Sequence, residues 1–213
     1  MDTPARDLTA ALRPVFPQFD SEARRLARTL FGLLARGYPV SIALVARKSG
    51  LTAGKARGYL DSWWGVRYDS DGRIIGSWGL DLFPTRHQLR VAERDLFAWC
   101  AWDALSLPAL IGEEAEVASL CPATGDDIRL SMAPEGVLDA EPEDARLALG
   151  VPAAGASSPD ARKAFCRDVR FLADGQAAAE WQREHPGVRI LSLEEGHRLG
   201  RTVWRALLDE AGG

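Results

Sequence analysis

The chain has 213 residues, of which 46% are apolar and 26% charged, and its formal net charge is −4 at neutral pH. This composition excludes a disordered chain and a basic nucleic-acid coat protein, and the length is enough to bury a full core. No stretch approaches the ~18 apolar residues of a membrane span, and three scattered cysteines do not make a disulfide framework. We therefore predict a cytoplasmic protein with reduced thiols and with neither nucleic acid nor membrane as partner.

Charge divides the chain into two parts. Residues 1–90 carry 14 basic and 8 acidic side chains, whereas residues 91–213 carry 12 basic and 22 acidic side chains. The balances of +6 and −10 predict two subdomains, which we place at residues 1–82 and 83–213.

The first subdomain is predicted to be three helices followed by a β-hairpin. Ser21 is a helix-capping residue, and apolar residues at helical spacing follow it up to residue 36. Shorter helices are predicted at 41–48 and 52–64. Two short apolar runs flank the sequence Asp-Ser-Asp-Gly at 69–72, which indicates a hairpin. Helix, turn, helix and hairpin form the winged-helix pattern.

The second subdomain mixes strands and helices without strict alternation, which is typical of an α+β fold. A helix is predicted at 93–107, ended by Pro108, and residues 153–159 are predicted to be a loop of small side chains. The remaining predicted elements are strands at 115–120, 128–132, 146–151, 165–172 and 188–193 and helices at 176–184 and 194–208. The fold class is thus α+β: a winged-helix-like helical subdomain, then a mixed or antiparallel sheet core with flanking helices.

Cys100 and Asp103 lie three residues apart on the predicted helix at 93–107. This spacing places both side chains on one face, ~5–6 Å apart at Cβ, where a carboxyl group can exchange a proton with the thiol. Aromatic neighbours, namely Phe97, Trp99 and Trp102, would raise the pKa of Asp103. The alternative is a buried helix cysteine beside a capping or exposed aspartate, and the spacing by itself favours that alternative.

The residues around the other two cysteines give weaker evidence for a reactive thiol. Cys166 has Lys163 and Arg167 nearby, which would lower the pKa of a thiol; the alternative is a solvated charged face, in which Asp168 partly cancels them. Cys121, at a strand end beside a turn, favours a small buried thiol. The histidine and cysteine spacing fits no zinc motif, and the sequence contains no phosphate loop, dinucleotide fingerprint or nucleophile elbow.

The sequence contains three distinctive segments, LFAWCAWDALSLPALIG at 96–112, GRIIGSWGLDLFPTRH at 72–87 and CPATG at 121–125. Together they resemble the organomercurial (alkylmercury) lyase family. Residues 165–171 match a later cysteine segment of the family more loosely. The resemblance extends from about residue 20 to residue 208.

The resemblance implies an enzyme that cleaves the carbon–mercury bond of alkyl- and arylmercury compounds by protonation, giving a hydrocarbon and Hg(II). It implies that Cys100 and Cys166 are the catalytic cysteines, that Asp103 is the catalytic aspartate, and that Cys121 is structural. All three catalytic residues are expected to contact the mercury, and the two thiolates retain Hg(II) as product. No cofactor is expected beyond external thiols for turnover, and a mercuric reductase is a candidate receiver of Hg(II).

At three positions the sequence departs from the family pattern. Trp102 stands where a smaller aliphatic residue is more common, Arg167 where some members have another cysteine, and Arg170 where histidine is common. These departures affect the expected substrate size preference and the alignment of the later segment.

Two other functions fit parts of the sequence. A winged-helix DNA-binding regulator, tuned by its thiols to metals, would use Lys55 and Arg57 for phosphate contacts, although the helix at 52–64 lacks Asn and Gln for adenine. A non-catalytic mercury or copper(I) binder would use Cys100 and Cys166 as a trap. Asp103 argues against the trap, because a soft metal gains little from a hard carboxylate.

Overall fold

The N-terminal helices begin where the sequence offers capping side chains. The computed structural model describes residues 3–12, 16, 18–150 and 165–209, and side chains from residue 8 onward. Within them the helices are α1 (Thr3–Leu12), α2 (Ser21–Leu34), α3 (Ile42–Ser49), α4 (Ala53–Ser62), α5 (Ala101–Ile111), α6 (Gly175–Glu184) and α7 (Leu193–Leu208). Ser41 caps α3 and Thr52 caps α4, at the positions where the sequence predicts that these two helices begin. The cap of α2 is Asp20 rather than Ser21, and its carboxylate accepts from the backbone N–H of Ala23 at 2.8 Å.

Two antiparallel sheets make up the rest of the described chain. The strands are β1 (Val66–Tyr68), β2 (Ile74–Ser77), β3 (Leu80–Asp81), β4 (His87–Val91), β5 (Arg94–Ala98), β6 (Ala115–Leu120), β7 (Asp127–Ala133), β8 (Gly136–Glu141), β9 (Arg146–Gly150), β10 (Arg170–Leu172) and β11 (Val188–Ser192). Eight of them form one sheet in the order β1-β2-β3-β5-β4-β6-β7-β8, and the other three form a sheet in the order β10-β9-β11. The α+β class, with helical N-terminal region and antiparallel sheets flanked by helices, is confirmed.

The predicted helix at 93–107 is wrong in its first half. Residues 94–98 form β5, which pairs with β4 so that Leu89 lies opposite Leu96. Within β5, Leu96 and Ala98 are buried, Phe97 between them is partly buried and Asp95 is exposed, which is the alternation of a strand. The helix begins only at residue 101 and passes through Pro108, which does not end it.

The predicted strand at 165–172 is also half wrong. Residues 165–167 are helical, and only β10 is a strand. The predicted loop at 153–159 and residue 151 lie outside the described residues. The strands β3, β4 and β8 and the helix α1 were not predicted, because β3 is only two residues long and the others lack clear start and stop signals.

Helix α5 lies at the centre of the core. All side chains from residue 101 to residue 108 are buried, so the helix has no exposed face over that length. Two indole groups connect it to α7: Trp102 Nε1 donates to the Gly196 carbonyl at 3.1 Å, and Trp204 Nε1 donates to Ser106 Oγ at 3.2 Å. The N-terminus of α5 is thereby held at a fixed place beside the large sheet, where β5 ends.

Candidate active site

Cys100 and Asp103 are joined by a helix cap. Cys100 is the residue between β5 and α5, with extended backbone (φ −145°, ψ 171°), and Asp103 is the third residue of the helix. The backbone N–H of Cys100 donates to Asp103 Oδ2 at 3.1 Å, which is the contact that an acidic or amide residue makes in a capping box. The two side chains are close together, as predicted. The reason differs: Cys100 is the cap of the helix and Asp103 is its third residue, whereas the prediction placed both on one face of a longer helix.

Cys166 completes a cluster with this pair. The Sγ atoms of Cys100 and Cys166 and a carboxylate oxygen of Asp103 all lie within 4.8 Å of one another. Cys100 and Asp103 are buried, whereas Cys166 is partly exposed. The structure therefore brings together the two thiols and the acid that the sequence singles out, from positions 66 residues apart.

Cys121 lies outside this cluster. It is buried at the end of β6, where its backbone N–H donates to the Asp126 carbonyl and its carbonyl accepts from the N–H of Gly125, both at 2.9 Å. These bonds close the turn between β6 and β7. The position agrees with the prediction of a small buried thiol.

Aromatic rings surround the cluster. The cleft beside Asp103 and Cys166 is lined by the rings of Phe16, Trp64, Trp78, Trp99, Trp102 and Phe165. Its free volume is about 10 Å³, which is room for about one water molecule. An organic group can occupy the cleft only when some of these rings move.

Burial sets the protonation of the cluster. It raises the pKa of Asp103 from 3.8 to about 7, although hydrogen bonds from the thiol and the backbone N–H of Cys100 act in the opposite direction. Burial also raises the pKa of Cys100 well above its ordinary value, helped by its hydrogen bond with Cys166 and by the charge of Asp103. At neutral pH the Cys100 thiol is therefore protonated, and about half of the Asp103 carboxyls hold a proton.

The tight turn between β2 and β3 packs directly against the side chain of Asp103. Its two residues, Trp78 and Gly79, both have positive φ, of 33° and 101°. A Cβ built on Gly79 would lie 2.5 Å from the Cγ atom of Asp103, so only glycine fits here. Sequence reasoning did not single out Gly79. The available signal is a Trp-Gly pair between two apolar runs, which is the pattern of a two-residue hairpin turn.

The three departures from the family pattern have distinct surroundings. Trp102 is fully buried and meets Phe165 edge-on, with ring centroids 5.9 Å apart. Arg170 Nη1 donates to the Cys166 carbonyl at 3.2 Å, so it supports the backbone of the cysteine. Arg167 is exposed and pairs with Asp168 at 3.2 Å, which supports the alternative of a solvated face. Lys163 lies outside the described residues.

The basic residues of α4 are paired with acids. Lys55 forms an ion pair with Glu22, and Arg57 pairs with Asp61 at 2.9 Å. Both ion pairs lie at the surface, so a phosphate would compete with the two acids for these cations. The part of the chain that the structure describes contains no helix with the length and hydropathy needed to cross a bilayer.

A cluster of two thiols and an acid beside an aromatic cleft has the ligand types that can hold a soft metal ion, with a carboxyl group next to it. A family model described as alkylmercury lyase matches residues 80–205, and a second, the helix-turn-helix domain of alkylmercury lyase, matches residues 8–78. An alkylmercury lyase of Streptomyces lividans is 38% identical over 98% of this chain and 96% of its own length. One from Pseudomonas putida is 39% identical over 86% of this chain and 84% of its own length.

The chain belongs to the alkylmercury lyase family: it is an enzyme of mercury resistance that cleaves carbon–mercury bonds. The prediction of family and reaction is confirmed. The solved mercury-bound form of MerB2 has the same fold, with a TM-score of 0.77 at 21% identity, covering 93% of this chain and 99% of that one.

Proposed function

We propose that Cys100, Asp103 and Cys166 carry out the lyase reaction by protonating the carbon bonded to mercury. The observation that carries this proposal is the separation of their ligand atoms, all within 4.8 Å. Two metal–sulfur bonds of about 2.3 Å, the length at zinc–thiolate sites, span about 4.6 Å in a straight line. Two sulfurs no more than 4.8 Å apart are close enough to bind the same mercury ion, with the carboxyl group of Asp103 beside it.

The reaction balances without an oxidant, a reductant or a further cofactor. A substrate R–Hg⁺ and two thiols give R–H, a mercury ion bridged by two thiolates, and one proton. The electron pair of the carbon–mercury bond becomes the carbon–hydrogen bond. The thiols supply two protons, of which one reaches carbon and one leaves to solvent.

Asp103 has the acidity that this proton transfer needs. Burial holds the Cys100 thiol protonated until mercury binds its sulfur and displaces the proton. A carboxyl group with a pKa of about 7 accepts that proton and can donate it onward at neutral pH. An aspartate with the reference pKa of ~3.9 would be protonated in far fewer than ~1% of molecules at that pH.

Positioning of the reacting groups adds to the effect of the proton transfer. Ionising a thiol of the ordinary pKa of ~8.5 gains at most ~30-fold at pH 7, or ~2 kcal/mol, whereas the Cys100 thiol has a raised pKa and loses its proton only when mercury binds. Holding a second thiolate and an acid in line with the breaking bond can contribute up to ~7–11 kcal/mol. The buried cap that fixes Cys100 to Asp103 supports this assignment.

Product release and cellular setting complete the proposal. Cys166 is the partly exposed member of the cluster, so a small thiol in the cytoplasm reaches the bound Hg(II) from its side and removes it by ligand exchange. A mercuric reductase then receives the ion. The partners are thus an organomercury substrate, small thiols and the reductase.

The test measures benzene released from phenylmercury by the purified protein in excess small thiol. We expect release by the wild type, and a loss of at least ~100-fold in Cys100→Ala, Cys166→Ala and Asp103→Asn, since general acid catalysis alone contributes ~10²–10⁴-fold. Cys121→Ala is the matched control and should release benzene at close to the wild-type rate. Capture of one mercury per protein without benzene would show a binder instead, and full activity in Cys100→Ala or Asp103→Asn would refute the assigned roles.

A further inference from the structure

A second buried carboxylate lies next to the cleft and outside the cysteine cluster. Asp81, at the end of β3, is fully buried. Its Oδ2 accepts from Trp99 Nε1 at 2.8 Å and from Arg67, and its Oδ1 accepts from the backbone N–H of Phe83 at 3.0 Å. A buried carboxylate is costly unless it is paired and hydrogen-bonded, so this arrangement requires all of these donors.

The residue that Asp81 holds is part of the cleft wall. Trp99 directly precedes Cys100, and its ring lines the cleft together with Asp103 and Cys166. Its backbone N–H donates to the Gly79 carbonyl at 2.9 Å. The hairpin of β2 and β3 therefore holds Trp99 at two points, the backbone through Gly79 and the indole through Asp81.

We propose that Asp81 is a positioning residue of the lyase reaction, which fixes the Trp99 indole as a rigid wall against the organic group of the substrate. Trp99 is partly buried, and without this acceptor its indole N–H would lose its hydrogen bond, so the ring would gain by turning away from its present position. Arg67 is half exposed and supplies the opposite charge from the surface, so the arginine, the carboxylate and the indole form a chain from solvent to the cleft.

The wall acts on large organic groups more than on small ones. This step rests on the proposed function, because it takes the cleft over Cys166 and Asp103 to be where the organic group binds. The free volume of the cleft is about 10 Å³, so a phenyl group must contact the rings around it. A methyl group on mercury extends little beyond the metal and makes fewer contacts with the wall. Asp81 is therefore a determinant of arylmercury binding.

The test compares kcat and KM for phenylmercury and methylmercury, from release of benzene and methane in excess small thiol. Asp81→Leu removes the acceptor and should raise KM for phenylmercury about ten-fold, the effect of losing a hydrogen bond to a charged group. For methylmercury we expect less than about a three-fold change. Asp81→Asn keeps an oxygen that accepts from the indole and should lie between Asp81→Leu and the wild type.

A double-mutant cycle separates positioning from general destabilisation. In a Trp99→Phe background no indole N–H is present, so Asp81→Asn and Asp81→Leu should leave KM for phenylmercury unchanged. Where Asp81→Leu does not fold, the cycle with Asp81→Asn decides. The control Asp61→Asn breaks another Arg–Asp pair, on the surface of α4, and should leave both substrates unaffected.

Three outcomes overturn this inference: equal losses for both substrates, effects of Asp81 substitutions that persist in Trp99→Phe, or wild-type kinetics in Asp81→Leu. The proposed function has a separate criterion. If the wild type or Cys100→Ala behaves contrary to the assigned roles, the function fails. If the cysteine variants are inactive while Asp81→Leu keeps the wild-type KM for phenylmercury, only the role of Asp81 fails.

Discussion

Replacing Asp103 by asparagine should stabilise the protein, and the gain over the wild type should increase as the pH rises from 4 to 7. The pKa of Asp103 is raised from 3.8 to about 7 by burial. Between these values the folded protein binds a proton that the unfolded chain does not, so the free energy of unfolding of the wild type falls as the pH rises. This increase in the pKa of Asp103 corresponds to a loss of about 4 kcal/mol in the free energy of unfolding once the pH is above both values. Asparagine does not titrate and avoids this loss.

The difference in unfolding free energy between Asp103→Asn and the wild type is therefore the quantity to measure. It should grow by about 3 kcal/mol between pH 4 and pH 7 and level off near pH 8, because about half of the folded molecules still hold the Asp103 proton at pH 7. Any change in the hydrogen bond from the Cys100 N–H adds a constant, because an asparagine oxygen accepts at every pH. His87, whose pKa is lowered to about 4 mainly by burial, titrates in the same window but is present in both proteins and cancels.

The assay is urea unfolding of the reduced, mercury-free proteins, followed by tryptophan fluorescence at each pH. Asp61→Asn, which replaces an exposed acid of α4 outside the cleft, is the control for exchanging an aspartate for an asparagine. A difference for Asp103→Asn that changes by less than about 1 kcal/mol over this range would refute the reasoning, since one pKa unit already corresponds to about 1.4 kcal/mol. The same substitution should abolish turnover, so stability and activity change in opposite directions.

Other outcomes can be checked separately. Gly79→Ala should lower benzene release by at least about ten-fold, because the added Cβ displaces the Asp103 carboxyl; wild-type turnover would contradict the packing described. The His87 imidazole should titrate near pH 4 by NMR, because burial and two nearby arginines lower its pKa; a midpoint near its ordinary value of 6.5 would show that it is not buried. Trp204→Phe should cost about 1 kcal/mol in the free energy of unfolding, measured with urea, because the hydrogen bond from the indole to Ser106 is lost. Turnover per folded molecule should not change. An unchanged unfolding midpoint would contradict the hydrogen bond.

The N-terminal helices could be predicted because their signals are local. Ser41 and Thr52 accept from backbone N–H groups three residues later, and Gly50 ends α3 with a left-handed backbone. These caps depend on a few neighbouring residues only. Such elements need no knowledge of the distant chain.

The strand β5 could not be predicted for the opposite reason. Its sequence, Arg-Asp-Leu-Phe-Ala, continues into an apolar helix, and its composition suits both structures. What decides the strand is the pairing with β3 and β4, in which Leu80 and His87 both lie opposite Ala98. Long-range pairing overrides the local preference for helix.

Within the candidate site too, the sequence predicted the local contacts but not those that depend on long-range packing. The spacing of Cys100 and Asp103 predicted that the two side chains meet, since both belong to one short segment. Cys166 approaches them only through the fold, and the resemblance to a family, rather than any local pattern, indicated it. Gly79 and Asp81 were missed because their effect depends on what the hairpin packs against.

The two family models meet at residues 78–80, in the middle of the hairpin formed by β2 and β3. The division at residue 82 remains a prediction, but β3 on its first side pairs with β5 on its second. A chain cut there would leave β5 with a bare edge and would remove Gly79 and Asp81 from the cleft. The helical unit therefore cannot be exchanged between relatives on its own: recombination at this point keeps the packing of the cleft only when the incoming hairpin still fits the recipient's counterparts of Asp103 and Trp99.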